Sequence, residues 1–249
     1  MTRIGLISDI HGNRLALDAV LAELEHDDID HLICLGDVAV GPQPRESIAR
    51  IRELGCPVLM GNWDAWFLDR PPPPDDEVGI ILHEITASWA DQVDDDDLEF
   101  MRSFAAQYEL PLEQDERALF FHGSPTSYDH FIFATTPDEE LRRMLGDARA
   151  ALMIGGHTHL QLHRRFEQTL FFNPGSVGLP FSQWWPDRVL IAPRAEYGVL
   201  EHDERGVRVE LRRALYDVGA LLDLTLESGM PHAEWWVDSW RERASKLYK

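Results

Sequence analysis

Lysine is nearly missing from this chain of 249 residues: Lys246 and Lys249 are the only two. With the arginines they give 23 cations against 44 carboxylates, a formal net charge of −21. Generic binding of a nucleic-acid backbone is thereby excluded, since that needs a basic face. Exposed charges are screened beyond about 8–10 Å at physiological salt, so a local site can still hold a field of its own. Cysteine is as scarce. Cys34 lies in an apolar run and Cys56 beside Pro57, too few for a disulfide scaffold, so any metal site must be built without thiolate. No apolar run approaches the roughly 18 residues of a membrane span. The opening MTRIGLISDI lacks the basic-then-apolar pattern of a secretion signal and reads as a strand. A cytoplasmic protein without a membrane partner is expected, and nothing fixes its oligomeric state, a dimer being compatible with it. Internal repeats are absent, and Pro71–Pro74 is the one low-complexity patch.

What is present alternates between strand and helix. Arg3–Ser8 is an apolar run, and Leu17, Val20, Leu21 and Leu24 then repeat at the spacing of a helix lying on a sheet. Asp30–Leu35 reads as a second strand, Pro44–Leu54 as a helix with Ile48 and Ile51 inward, and Cys56–Met60 as a third strand. This β-α-β-α-β order implies parallel strands joined by right-handed crossovers. After the proline run, Val78, Ile81, Leu82, Ile85 and Trp89 mark a further helix, and the acidic Asp94–Asp97 reads as solvated surface or helix-start charge. Residues of about 66–110 are read as an inserted helical cap segment. Later runs are shorter: Ala118–Phe121, Ala151–Ile154, Leu162–Phe166 and Leu170–Phe172. Glu196–Glu201 and Val207–Ala214 flank a turn at Glu204–Gly206 and read as a hairpin closing a second sheet. Helices at Val218–Glu227 and near Trp235–Trp240 finish the chain. One domain over 1–249, of two stacked sheets with outer helices, fits this pattern.

The most informative string is GGHTH at Gly155–His159, which ends the apolar run Ala151–Ile154 in two imidazoles. Asp9 and His11 in SDIHGN, Asp37 in LGD, Asn62 in MGNWD and His122 in FFHGS stand at comparable strand ends. In parallel sheets ligands gather at the carboxyl ends of the strands. Seven O and N donors exceed the four that close one zinc site. They suit two divalent ions about 3.5–4 Å apart, which clamp the attacking and leaving oxygens of a phosphoryl displacement. Asp37 is the natural bridge. Two such ions against Asp9 and Asp37 leave about two positive charges, a site for phosphate rather than for cations. Mn, Fe, Zn, Co and Ni all accept these ligands. Asn13 is placed as the first helix's N-cap, as a phosphate contact, or as both.

The order DxH, GD, GN, H, GHxH resembles the calcineurin-like metallophosphoesterase superfamily. DIHGN, Gly41–Pro42 after GD, HGSP at His122–Pro125 and NPGSVG at Asn173–Gly178 resemble its YfcE-like bacterial phosphodiesterase branch. The resemblance implies a four-layer αββα sandwich of two mixed sheets. It implies that Asp9, His11 and His159 hold one ion, that Asn62, His122 and His157 hold the other, and that Asp37 bridges them. It favours Mn, and it implies a phosphodiesterase or phosphatase acting on a small phosphoester through attack of a metal-bridging hydroxide, with His11 and Asp37 catalytic and Asn13 near the phosphate. Many members carry a proton-donating His after GN; here Trp63 stands there, so esters with good leaving groups should be preferred. The Asp-Arg-Gly of Ser/Thr protein phosphatases is absent at Val38–Gly41, which argues against protein phosphatase activity. Two other readings stay open: a catalytically weak, metal-binding interaction scaffold, and a dinucleoside polyphosphate hydrolase using Arg164 and Arg165. Trp184 and Trp185 read as ring-stacking or packing residues.

Overall fold

The first sheet is fixed by β1 (Thr2–Ile7) and β2 (His31–Cys34), which pair in parallel with Ile4 opposite His31. Between them runs α1 (Arg14–Leu24), whose buried stripe is Ala16, Leu17, Val20, Leu21 and Leu24. The Asn13 side chain accepts the Ala16 N–H and starts this helix. Next, α2 (Pro44–Leu54) begins on a proline and ends at Gly55, at φ 60°. The helices α3 (Asn62–Asp69), α4 (Glu77–Ala90) and α5 (Asp95–Arg102) follow. The structure is a computed structural model that describes residues 1–112, 116–183, 190–238 and 240.

The second sheet contains β3 (Tyr108–Pro111), β4 (Arg117–Phe120), β5 (Leu152–Ile154), β6 (Leu162–Phe166) and β7 (Thr169–Asn173), with α6 (Asp138–Leu145) after β4. Its order is β3-β4-β5-β7-β6, the central three strands being parallel. A two-stranded ribbon of β8 (Phe181–Gln183) and β9 (Leu190–Ile191) stands apart. The long hairpin β10 (Ala195–Asp203) and β11 (Gly206–Ala214) precedes α7 (Val218–Glu227), and residues 233–238 are helical.

Strand alternation creates the layers, because successive side chains point to opposite faces. Ile4, Leu6, Ile33 and Leu200 face Ala118, Phe120, Leu152, Ile154 and Phe172 across the gap between the sheets. On the outer face of the first sheet, Ile7, Cys34 and Val199 pack with Leu17, Val20 and Ile51. On the outer face of the second, Leu119, Met153 and Phe171 pack with Leu141 and Leu145 of α6. Fully burying one such side chain is worth about 1.5–3 kcal/mol. The result is the expected αββα sandwich of two mixed sheets.

Several local expectations change. The 195–214 hairpin joins the first sheet, not the second: β10 pairs antiparallel with β1, Ile4 opposite Leu200. Residues 56–60 form no strand; Val58 pairs with Cys34 and Leu59 with Ala105 as single bridges. Pro57 brings no N–H to a ladder there. The acidic run does start α5, with Asp94 accepting the Asp97 N–H, but Asp97 itself is buried and pairs with Arg52 at 2.9 Å. His202 is buried on β10, with Nε2 3.1 Å from Glu116.

Candidate metal centre

Both sheets deliver chemistry at the same edge. Asp9 and His11 follow β1, Asp37 follows β2, Asn62 opens α3, His122 follows β4, and His157 and His159 follow β5. Asp9, His11, Asp37 and His159 place one ligand atom each within 4.8 Å of one another, and so do Asp37, His122 and His157. The Asn62 Oδ1 lies 3.1 Å from His122 Nε2 and 3.0 Å from His157 Nδ1. All seven residues nominated by the sequence therefore come together.

The backbone is strained here. Among the described residues, eight other than glycine have positive φ, and five of them are Asp9, His11, Asp37, His157 and His159. A side chain held in that region costs on the order of 1–3 kcal/mol, persists only where the surroundings impose it, and tends to mark functional sites. Here the surroundings are backbone packed on backbone. Asp9 N donates to Gly36 O, His11 N to Asp37 O and Gly12 N to Val38 O, each at 2.9 Å. A Cβ on Gly61 would stand 2.0 Å from Asp37 Oδ1, so only glycine admits this approach.

Each carboxylate has one oxygen anchored and one bare. Asp9 Oδ2 accepts from Ser8 Oγ at 2.5 Å and from His157 N at 3.1 Å, and Asp37 Oδ1 accepts from Trp63 N at 2.9 Å. Asp9 Oδ1 and Asp37 Oδ2 are buried without a hydrogen-bond partner. Around them stand imidazole nitrogens: His159 Nε2 is 3.2 Å from Asp9 Oδ1, and His122 Nε2 is 3.4 Å from Asp37 Oδ2.

The histidines are oriented from behind. Nδ1 of His11, His122 and His159 lies against the carbonyl oxygens of Val40 (3.2 Å), Leu35 (2.8 Å) and Leu179 (2.8 Å). Donation from Nδ1–H leaves the Nε2 of each ring, when neutral, a lone pair aimed inward, the arrangement typical of metal-binding imidazoles. In consequence His11 Nε2 and His159 Nε2 meet at 3.0 Å as two acceptors. Only a proton or a metal cation relieves that contact. Bare buried carboxylate oxygens and facing lone pairs fit divalent cations, and the residues present suit such a group.

The electrostatics agree. Burial raises the Asp9 carboxyl, but the imidazoles of His159, His122 and His11 outweigh it and hold the group below the usual carboxylate range. Asp37 is also held low: burial works upward and His122 prevails. Burial, then the neighbouring His159, brings His11 down to about 4; burial and His122 do the same for His157. For His122 burial works downward, yet Asp37 and Asp9 push it up to about 10. Two carboxylates against one imidazolium leave the cluster negative, a trap for cations.

Further residues hold the ligand loops from around the site. Asp64 is fully buried and accepts from Asp37 N, Val38 N and Gly61 N at 2.7, 2.9 and 3.2 Å, while burial and the Asp37 charge push it up to about 7. Ser176 Oγ donates to Asp9 O, and Asn173 Nδ2 to Gly156 O, so NPGSVG holds the ligand loops in place. The Asn13 amide caps α1 and donates to Gly178 O and Tyr216 Oη, so a phosphate contact there would have to displace one of these. Arg164 donates to the carbonyls of Phe133 and Thr136 and pairs with Asp138; neither it nor Arg165 lines the cavity over the site. His83 packs edge-on against Trp66, and His130 Nδ1 lies 2.8 Å from Ser124 Oγ. Trp184 and Trp185 lie outside the described residues.

A two-sheet αββα sandwich with Asp, Asn and His ligands at its parallel strand ends is the architecture of the metallophosphoesterases. The model of the calcineurin-like phosphoesterase superfamily domain matches residues 2–192, and the chain belongs to that superfamily. It is 27% identical over 251 residues to the uncharacterized protein MJ0912 of Methanocaldococcus jannaschii, covering 93% of this chain and 94% of that one. The crystal structure of a metallophosphoesterase from Sphaerobacter thermophilus aligns with a TM-score of 0.71 at 25% identity, covering 93% and 96% of the two chains. The hypothetical protein PH1004 of Pyrococcus horikoshii OT3 shares the fold, with a TM-score of 0.77 at 19% identity over 95% and 97%.

Proposed function

We propose that this chain is a phosphoesterase working with two divalent cations, Mn being favoured, on a small phosphodiester in preference to a phosphoprotein. The observation that carries the reading is the pair of bare, buried oxygens, Asp9 Oδ1 and Asp37 Oδ2, ringed by imidazoles tethered from behind. Asp9, His11 and His159 would hold one cation, Asn62, His122 and His157 the other, and Asp37 both. When bound, the cations supply charge to the phosphoryl oxygens and bring the pKa of water from 15.7 down toward about 7.

The protein's share is preorganisation. The Nδ1–H tethers fix three rings before substrate arrives, so the site needs no reorganisation during reaction. His11 and His157, held near 4, stay uncharged and ready as ligands at neutral pH. Retention of all seven donors favours catalysis over the scaffold reading. The polyphosphate reading loses its two arginines, which are engaged elsewhere or away from the cavity. The test is Asp37→Asn: turnover of a 4-nitrophenyl phosphodiester should fall at least 1,000-fold, and bound metal should drop from two ions per chain when measured by elemental analysis. Wild-type activity in the variant would refute the assignment.

A further inference from the structure

Above the candidate cations the chain leaves a cavity of about 1070 Å³ with His11, Asn62, His157 and His159 in its wall. That is at or beyond the upper end of the roughly 300–1,000 Å³ typical of small-molecule sites. A phosphate group fills little of it, so the remainder must suit whatever the phosphate is attached to.

The walls are apolar. The helix α4 turns Val78, Leu82, Ile85 and Trp89 into the cavity, facing Phe181 and Trp236. Besides the three histidines, Asp238 is the sole ionisable side chain among the described lining residues, and neither arginine nor lysine occurs there. A nucleotide polyphosphate, an oligonucleotide or a phosphopeptide brings further anionic groups and calls for cations around them. The described lining residues offer them none.

The exposed apolar surface points the same way. Of the seven large hydrophobic residues left exposed among those described, Val78, Phe131 and Trp235 all line this cavity. Val78 is 52% exposed and Trp235 42%. Scattered exposed hydrophobics need no explanation, but several rimming one concave site mark a binding surface. Two apolar rings also flank the ligands directly: Phe131 lies 4.2 Å from the His157 ring, and Phe181 stacks on His159 at 4.4 Å.

We infer that this cavity receives a large, uncharged, apolar group of the phosphoester, an alkyl chain or fused aromatic system bigger than a phenyl ring. The inference rests on the phosphoesterase reading and narrows it to a substrate class. Its test holds the leaving group constant, in 4-nitrophenyl phosphodiesters whose second alcohol is methyl, octyl or 2-naphthylmethyl, hydrolysed by the Mn-loaded protein. The matching monophosphates are followed by phosphate release. We expect kcat/KM to rise at least tenfold from methyl to octyl, through KM. A larger gain for naphthylmethyl than for octyl assigns a fused ring, and the reverse assigns a chain. A second readout needs no metal: the neutral dye N-phenyl-1-naphthylamine should bind the metal-free protein and be displaced by 1-octanol but not by ethanol. Val78→Glu and Leu82→Glu should weaken dye binding at least tenfold and shrink the octyl-to-methyl ratio, with thermal melting reporting that each variant is folded. Equal kcat/KM across the series overturns the inference. If no ester is cleaved, the phosphoesterase reading fails and the dye decides the cavity: variant-sensitive binding supports an apolar ligand, and absent binding overturns that as well.

Discussion

The Asp64 carboxylate accepts the backbone N–H of Asp37 at 2.7 Å, so one buried acid holds the peptide of another. The same group takes the N–H of Val38 and Gly61, fixing the loop in which Asp37 adopts φ 55°. Asp64 thus acts as a positioning residue, tying the start of α3 to the loop after β2. Asp64→Asn sets an NH2 group against a backbone donor. Expected losses are about 1–3 kcal/mol of stability and roughly 10–100-fold in cation affinity. Urea unfolding of metal-free protein and calorimetric metal titration measure both. Unchanged affinity would remove Asp64 from this role.

His122 gives the metal-free protein a pH dependence with a definite sign. Folded, it sits near 10 against an ordinary 6.5, because the charges of Asp37 and Asp9 outweigh burial. From pH 7 to 9 the folded chain holds a proton that the unfolded chain has released. The associated stability is complete below about 6.5 and is lost as pH rises toward 10. Over pH 7–9 the free energy of unfolding should fall on the order of 2–3 kcal/mol. Saturating the site with Mn should flatten that slope, since cation and proton compete for Nε2. Denaturant melts at half-unit intervals with and without metal check this, and a flat metal-free profile contradicts it.

Trp63 occupies the position where the family resemblance expects a proton-donating His, and an indole has no transferable proton near neutral pH. Its backbone N–H serves Asp37 Oδ1, while its side chain lines the cavity. General acid catalysis typically contributes 10²–10⁴-fold, so aryl esters should outpace alkyl esters by about that margin. Trp63→His should raise the alkyl-to-aryl rate ratio at least tenfold. A ratio near one in the wild type would mean that another group protonates the leaving oxygen.

Two glycines separate backbone freedom from space. Gly55 has φ 60° and open space where an added methyl would stand, so Gly55→Ala should cost only the left-handed penalty of about 1–2 kcal/mol. Gly61 has an ordinary φ of −87°, yet its Cβ would collide with Asp37. Gly61→Ala should abolish tight cation binding whatever its effect on melting. Elemental analysis of both variants tells the two cases apart.

The sequence exposed the ligands more readily than their surroundings. Asp9, His11, Asp37, Asn62, His122, His157 and His159 each interrupt an apolar run, and such interruptions are visible one segment at a time. The periodicity of α1 and α2 is visible for the same reason. The hairpin at 195–214 was recognisable as a pair, but which sheet it joins depends on Leu200 meeting Ile4 and Ile33, a long-range contact. The role of Asp64 was hidden because its partners are backbone amides, which no side-chain pattern reports. The apolar cavity was hidden too: Val78, Leu82 and Trp235 look like ordinary core positions until the fold leaves them unburied.

Asp9, His11 and Asp37 descend from one half of the sandwich, and His122, His157 and His159 from the other. Any ion seated between them is a rivet through both plates. Chelation of a loaded site should therefore loosen the seam as well as stop the proposed hydrolysis, and a chain whose halves have not yet closed offers an ion no complete site.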